Sequence, residues 1–372
     1  MISAIKFANQ SDLTTHKFNF KGKLQDIAKI AIASDLTITY EDFESLEVAP
    51  HLKEYLNQIS LADRNQYLAA KLQKYLYSIF TTELKLKSDN TSVVTEDDTS
   101  DCEKMANYVK KWSRTKFYQQ LTQNNHGRGY SDSNWLVIKQ GDDFWHVAKN
   151  GLTLHIKPEM HLLEPLEELS PGQLVSLKMP SNLVNRGIYI AVGDAGSTNI
   201  TDGDRNFTIT QLYFNVSSDG ALCLLDNLTQ KLNEIKISFD FKIAYDEAKF
   251  DNLDAVVLEF QSGNFDLIYP IVKIVYHANQ NYFEPEIPFF CQFLAPGMGL
   301  AEKPRAPNFA RENIGQHYCR IIANALVKRW QQNELLGTDK LDLDYVLNYL
   351  SEAGVDIEHP YLNPHSTESY QA

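Results

Sequence analysis

The sequence predicts an α+β protein in which a helical N-terminal region precedes a mostly antiparallel sheet flanked by helices. Three observations carry this expectation. Up to about Tyr118 apolar residues recur at helical spacing, whereas from Trp135 onward they come in short runs of Val, Ile, Phe and Tyr punctuated by turn residues. Helical stripes then reappear between and after those runs. The change of pattern places a domain boundary near residue 124, with a helical region over 1–123 and an α+β domain over 124–372.

In the first region Tyr67, Leu68, Leu72, Tyr75, Leu76 and Ile79 fall on one side of a helix, which should be buried. The stretch 87–101 (KSDNTSVVTEDDTSD) is acidic, rich in Ser and Thr, and too poor in apolar groups to offset the entropy of ordering, so it reads as a flexible insert. A helical segment over 103–121 follows, then the loop 124–130 (NNHGRGY), whose glycines mark an irregular turn. Strands are expected at 135–139, 144–149, 152–157, 174–178, 186–192, 207–216, 237–245 and 255–260. Asn150-Gly151 separates two of them and signals a type I′ hairpin, which needs positive φ at both central positions. Asp219-Gly220 leads into a helix stripe of Leu222, Leu225, Leu228, Leu232 and Ile235, and further helices are expected over 321–336 and 341–350. There is no internal repeat.

Composition excludes several function classes. The 372 residues carry a formal net charge of -13, so a nonspecific binder of nucleic acid or of an anionic membrane is not expected. No run reaches the ~18 apolar residues of a membrane span, and the first residues lack a signal-peptide pattern. The four cysteines, Cys102, Cys223, Cys291 and Cys319, are far apart without metal spacing and read as reduced thiols, consistent with a cytoplasmic setting. No cofactor and no metal are expected.

Standard catalytic signatures are absent: no Walker A, GxSxG, HExxH, kinase or Rossmann motif. Strand parity is more informative, because alternate side chains point to opposite faces. It groups His155 and Lys157 opposite Leu152, Leu154 and Ile156. It groups Gln211, Tyr213 and Asn215 opposite Leu212 and Phe214, and Asp240 and Lys242 opposite Phe241 and Ile243. Two readings follow, a single concave polar surface or a solvated sheet face. A two-residue turn at Asn150-Gly151 also pairs Lys149 with Leu152 and His146 with His155. Lys149 then falls on the apolar side, where a snorkelling strand-end lysine is the simpler reading, and the two histidines lack a third ligand fixed by spacing. The segment 296–304 (PGMGLAEKP) has a glycine-rich cradle's look but lacks the Lys-Ser/Thr ending, and reads as a tight loop and helix start.

Several stretches in order, KNGLTLHI (149–156), GIYIAVGDAG (187–196), LYFNVSSDGALCLLDNLTQKLN (212–233), FDFKIAYD (239–246), LDAVVLEF (253–260), PEIPFFCQFLAPGMGLAEKP (285–304), GQHYCRIIANAL (315–326) and PYLN (360–363), resemble the HopA-type type III secretion effector family. The likeness covers about residues 125–365. Relatives in that family include lyases of class V lanthipeptide and thioamitide biosynthesis. The resemblance implies elimination of phosphate from phosphoserine or phosphothreonine in a precursor peptide, with a partner kinase, giving dehydroamino acids. It also leaves secretion as an effector open.

Such a β-elimination needs a base for the Cα proton, cationic donors for the departing phosphate and a proton donor for the bridging oxygen. Carried over from the resemblance, Lys242 is the preferred base, His155 the acid and Lys149 a further catalytic candidate. Arg186 and Arg205, with Lys157, would hold phosphate, while Gln211, Tyr213 and Asn215 line the peptide. The chain departs from the family where arginines usually stand at Gln211, Asn252 and Tyr318, and where Asn313-Ile314 replaces Ser-Phe. Losing those guanidinium groups weakens a bidentate phosphate grip unless Arg320 or Arg205 comes close. The second function reading is therefore a catalytically silent HopA-type protein that binds a peptide or protein partner.

Overall fold

The computed structural model describes residues 24–25, 27, 29–40, 43, 45–81, 115–164, 169–185, 187–198, 207–305, 312–336, 343–367 and 370, without the side chains of 81 and 334–336. The acidic stretch 87–101, Cys102, most of the helix expected over 103–121, Arg186 and Arg205 lie outside the described residues. The architecture is α+β with antiparallel strand pairing and helices in the N-terminal region. The chain divides into two compact units, one from 1–94, 252–254 and 285–372, the other from 95–251 and 255–284.

The first unit holds a short strand pair, β1 (Ala31–Ile32) and β2 (Ile38–Thr39), then helices α1 (Pro50–Gln58) and α2 (Leu61–Thr81). The predicted stripe on α2 is buried at Leu68, Leu72, Tyr75, Leu76 and Ile79, and Tyr67 is half-buried. Full burial of a leucine contributes roughly 1.5–3 kcal/mol, so this stripe rather than intrinsic propensity holds α2 in place.

The second unit opens with α3 (Lys116–Asn124), capped by the Thr115 side chain accepting from Tyr118 N. Then come β3 (Tyr130–Gln140), β4 (Trp145–Lys149), β5 (Leu152–Ile156), the short α4 (Pro158–His161) and β6 (Leu174–Met179). These strands form a four-stranded sheet in the order β5-β4-β3-β6, with Trp135, Val137, Val147, Ile156, Val175 and Leu177 as its core face. The Asn150-Gly151 turn has φ of 50° and 80°, and it sets the pairing Lys149 with Leu152 and His146 with His155, as parity required.

The same unit also contains β7 (Asn182–Asn185), β8 (Ile188–Val192), β9 (Ile209–Phe214), α5 (Ser218–Glu234), β10 (Phe239–Ala244), β11 (Val256–Gln261) and α6 (Phe265–Ala278). These strands lie in the order β9-β11-β10-β8-β7. The register sets Leu212 opposite Leu258 and Leu258 opposite Phe241. Period-2 alternation thereby makes one apolar face, and the buried Leu224, Leu225, Leu228 and Leu232 of α5 supply the helical layer that packs on β10. Ser217 caps α5 by accepting from Gly220 N at 3.2 Å. Gly220 is required because an added Cβ would sit 2.6 Å from the Cβ of Tyr282.

Back in the first unit are β12 (Gln292–Ala295), β13 (Met298–Glu302), α7 (Ile314–Leu336) and α8 (Leu343–Glu352), with α7 packing along α2. Three expectations are corrected. The strand expected over 186–192 forms as β8, but it is preceded by an unexpected partner strand, β7 (Asn182–Asn185), and Gly187 with φ of 87° lies in the turn between them. The segment 296–304 is a hairpin rather than a cradle or helix start, since Gly297 with φ of 71° closes a turn and Met298–Glu302 are buried as a strand. Helix α6 is not among the expected elements, since its interior Pro270 reads as a helix terminator.

Candidate functional site

The sheet face opposite the apolar layer is polar, as parity predicted, but it is not solvated. Cross-strand register puts Gln211 opposite Glu259 and Glu259 opposite Asp240, while Lys242 and Tyr213 both lie opposite Val257. Gln211, Tyr213, Asn215, Asp240 and Glu259 are all buried. The solvated-face reading is therefore corrected for this sheet, where hydrogen bonds offset the cost of leaving water, and holds only for the exposed His155 and Lys157.

Hydrogen bonds on this face gather in two groups, one around Glu259 and one around Asp240. Lys242 Nζ donates to Glu259 Oε1, and Gln211 Nε2 donates to the same oxygen at 2.7 Å. Tyr213 OH donates to Gln211 Oε1 at 2.9 Å. Asp240 accepts from Ser197 Oγ at 2.8 Å, from Thr198 N at 3.1 Å and from the Thr198 hydroxyl. Burial pushes the Asp240 carboxyl above its ordinary value, the Thr198 hydrogen bonds oppose this, and the nearby Glu259 charge adds to the upward shift. Tyr130 is likewise pushed up to about 12 by burial, Asp132 and Asp240. Among the described side chains this face thus sets one ammonium against two carboxyl groups.

The remaining candidates are elsewhere. His155 and Lys149 belong to the four-stranded sheet, whereas Lys242, Gln211 and Tyr213 belong to the other, so the expectation that one sheet presents them all is corrected. The physical reason is chain connectivity: β3 to β6 form local antiparallel pairs closed by their own core, and parity cannot tell which sheet a strand joins. Lys149 remains on the inner side of its hairpin, its Nζ donating to Asp132 Oδ1 at 2.7 Å and to the Ser133 carbonyl at 2.8 Å. Its side chain is only 9% exposed, so it is a buried ion-pair member rather than a snorkelling one. His155 stacks on Phe144 with centroids 4.5 Å apart and meets His146 edge-on at 4.5 Å, on an exposed surface. Lys157 is exposed and caps the start of α4, its backbone N–H donating to His161 Nδ1 at 3.0 Å. Asn215 lies just beyond β9, its carbonyl accepting from Glu284 N at 3.0 Å.

Two residues of these groups were not singled out from sequence as site residues, Glu259 and Asp240. The signal was present in LDAVVLEF, where a lone glutamate interrupts an apolar strand and must be buried with a partner once both faces are covered. Gln211, where the family resemblance expects arginine, faces that glutamate across the strand pair. A guanidinium at this position would pair with Glu259, and the amide here supplies a neutral donor instead.

In the first unit the other departures are also structural. Asn313 Nδ2 donates to Asp254 Oδ2 at 3.1 Å and to Tyr77 OH at 2.6 Å, while Tyr77 OH donates to Asp254. Burial raises the Asp254 carboxyl above its ordinary value despite these donors. Arg320 Nε contacts both oxygens of Glu312 at 3.1 and 3.0 Å, so its guanidinium is engaged within this unit. Tyr318 is buried, and burial raises its phenol. Cys223, Cys291 and Cys319 form no disulfide, and burial raises the thiols of Cys291 and Cys319 well above the ordinary range, which makes them inert. Among the described residues no group of three or more His, Cys, Asp or Glu is placed to hold a metal ion, and no helix is long and apolar enough to cross a membrane.

Fold and site define an α+β protein with buried, hydrogen-bonded polar groups across a sheet. Residues 179–362 match the model of the HopA1 effector protein family, and that segment is similar to this family. Similar solved structures include the effector protein from Pseudomonas syringae pv. tomato strain DC3000, at 12% identity and a TM-score of 0.41, covering 81% of this chain and 96% of that one. Another is the effector protein from Pseudomonas syringae pv. syringae strain 61, at 13% identity and a TM-score of 0.40, covering 80% and 95%. No curated protein matches the chain in sequence.

Proposed function

We propose that this chain is a HopA1-type protein that binds a peptide or protein partner and does not itself catalyse phosphate elimination. The supporting observation is the state of Lys242: its Nζ donates to the fully buried Glu259, and the imidazole and second amine required by elimination stand on another sheet. A general base needs a free lone pair within reach of the Cα proton, and an acid poised beside the leaving oxygen. An ammonium held by a carboxylate offers no lone pair to the Cα proton.

A second reading has its own support. Lys242 and Gln211 converge on the Glu259 carboxylate, Tyr213 donates to Gln211, and the Lys242 side chain is 27% exposed. In that reading the chain releases phosphate from phosphoserine or phosphothreonine of a precursor peptide prepared by a partner kinase. Mass spectrometry of a phosphothreonine peptide incubated with the purified chain separates the two. An unchanged peptide mass is expected; loss of phosphoric acid that disappears in Lys242→Ala overturns the binding reading and establishes the lyase.

A further inference from the structure

Among the described residues the outer face of the four-stranded sheet is exposed, and its side chains are sorted into two parallel rows. Register places Leu174 opposite Leu136, Leu136 opposite Ala148, and Ala148 opposite Thr153, an apolar row that crosses all four strands. Leu174 is 62% exposed, Leu136 40%, and the bulged Ile138 beside them 43%. One step along the strands, Lys139 lies opposite His146 and His146 opposite His155, a row of one lysine and two imidazoles, in which burial, His155 and Lys139 shift the His146 imidazole towards its neutral form. The strands place no carboxylate on this face. Asp132 turns inward to Trp135 and Lys149, and the other acids nearby, Asp142, Asp143, Glu159 and Glu164, sit in the β3–β4 turn, in α4 and in the loop after it. On a chain of net charge -13 such a face is distinctive, and its electrostatics favour an acidic occupant.

We propose that this face docks an acidic amphipathic helix of a partner protein, which rests on the binding reading above and names its surface and partner chemistry. The apolar row spans three interstrand spacings, about 14 Å. A helix of about ten residues covers that length, with apolar residues at i, i+3, i+4 and i+7 on the row. Laid across the strands, it brings one flank over Lys139, which supplies a counter-charge to Asp or Glu side chains, and over the ring nitrogens of His146 and His155, which supply hydrogen-bond partners. An extended strand added at the β5 edge would leave Leu136 and Leu174 uncovered, which is why a helix is the committed occupant.

The test uses the full chain and a fluorescently labelled synthetic peptide of about fourteen residues, with Leu at the apolar spacing and Glu along one flank. Anisotropy should saturate, weaken with added salt, and weaken at least about tenfold in Leu136→Ser and in Lys139→Glu, while Lys139→Arg retains binding. These positions are exposed, and unchanged amide exchange in β3 to β6 certifies the fold of each variant. No saturation overturns the proposal, as does equal binding of a Lys-flanked peptide or of one interrupted by proline, which would indicate an extended occupant. Self-association of the chain that Leu174→Ser abolishes would overturn it in favour of a second copy. Elimination of phosphate from a phosphopeptide would instead refute the binding reading while leaving the titration result to stand on its own.

Discussion

Replacing Lys242 with methionine keeps most of the side-chain volume and removes the charge that faces Glu259, a carboxylate with no exposed surface. Breaking a fully buried ion pair by deleting one partner costs about 3–5 kcal/mol, because the other charge is left inside uncompensated. The Lys242 side chain retains 27% exposure, so water offsets part of that loss and the expected cost is near the lower end, about 3 kcal/mol. Glu259→Gln in the same chain removes the stranded charge while keeping a group that can bond to Gln211, so the double variant should recover at least about half of the loss. Native-state hydrogen exchange of the β9 and β11 amides reads the free energy of the unit that contains the pair, which a global melt of a two-unit chain would blur. A cost under about 1 kcal/mol for Lys242→Met would refute the reasoning. So would a double variant no more stable than the single one, since the pair would then not be coupled.

Other outcomes follow from the same coordinates. Gly151→Ala meets nothing within 4 Å, so its cost is only that of the positive φ, about 1 kcal/mol, whereas Gly220→Ala must displace Tyr282 and should cost more in the same exchange measurement. Leu258→Ala, fully buried on the helix-covered sheet face, should cost about 2–5 kcal/mol in denaturant titration. Asp254 has a folded carboxyl raised above its unfolded value, so its unfavourable contribution is absent below about pH 4 and grows as pH rises through the folded value. Asp254→Asn should therefore flatten that part of the stability profile, measured by urea titration across pH. Glu312 runs the other way: burial pushes it up, but hydrogen bonds from His317, Arg320 and Gln73 outweigh this and lower it, so its stabilisation is lost as pH falls through that lowered value. Glu302 accepts from Asn363 N at 2.7 Å, Ser366 Oγ at 2.6 Å and Tyr370 OH at 3.1 Å, and Glu302→Ala should expose the 361–370 segment to limited proteolysis.

Much of the secondary structure is written in local patterns. The helical stripe of α2, the alternation in β9 and β10 and the Asn150-Gly151 turn depend on spacing and on φ preferences that act over a few residues, and each formed as its sequence requires. The same locality yields the hairpin pairs Lys149 with Leu152 and His146 with His155, and it identifies Gln211, Tyr213 and Lys242 as one polar face. Pro270 hid α6 because an interior proline is normally a helix terminator, although Phe265, Ile268, Tyr269, Val272, Val275 and Tyr276 keep the helical period of a buried face.

The sequence by itself determined the α+β class, the alternating faces of the strands and the resemblance to the HopA-type family, since these rest on residue order and short-range geometry. Which sheet each strand joined was decided only by tertiary structure, and that choice separated His155 and Lys149 from Lys242. Burial was decided there too: a polar strand face reads identically whether it meets water or protein. Only the assembled fold brought Gln211, Tyr213, Asp240 and Glu259 into the interior, where the loss of hydration makes every hydrogen-bond partner count.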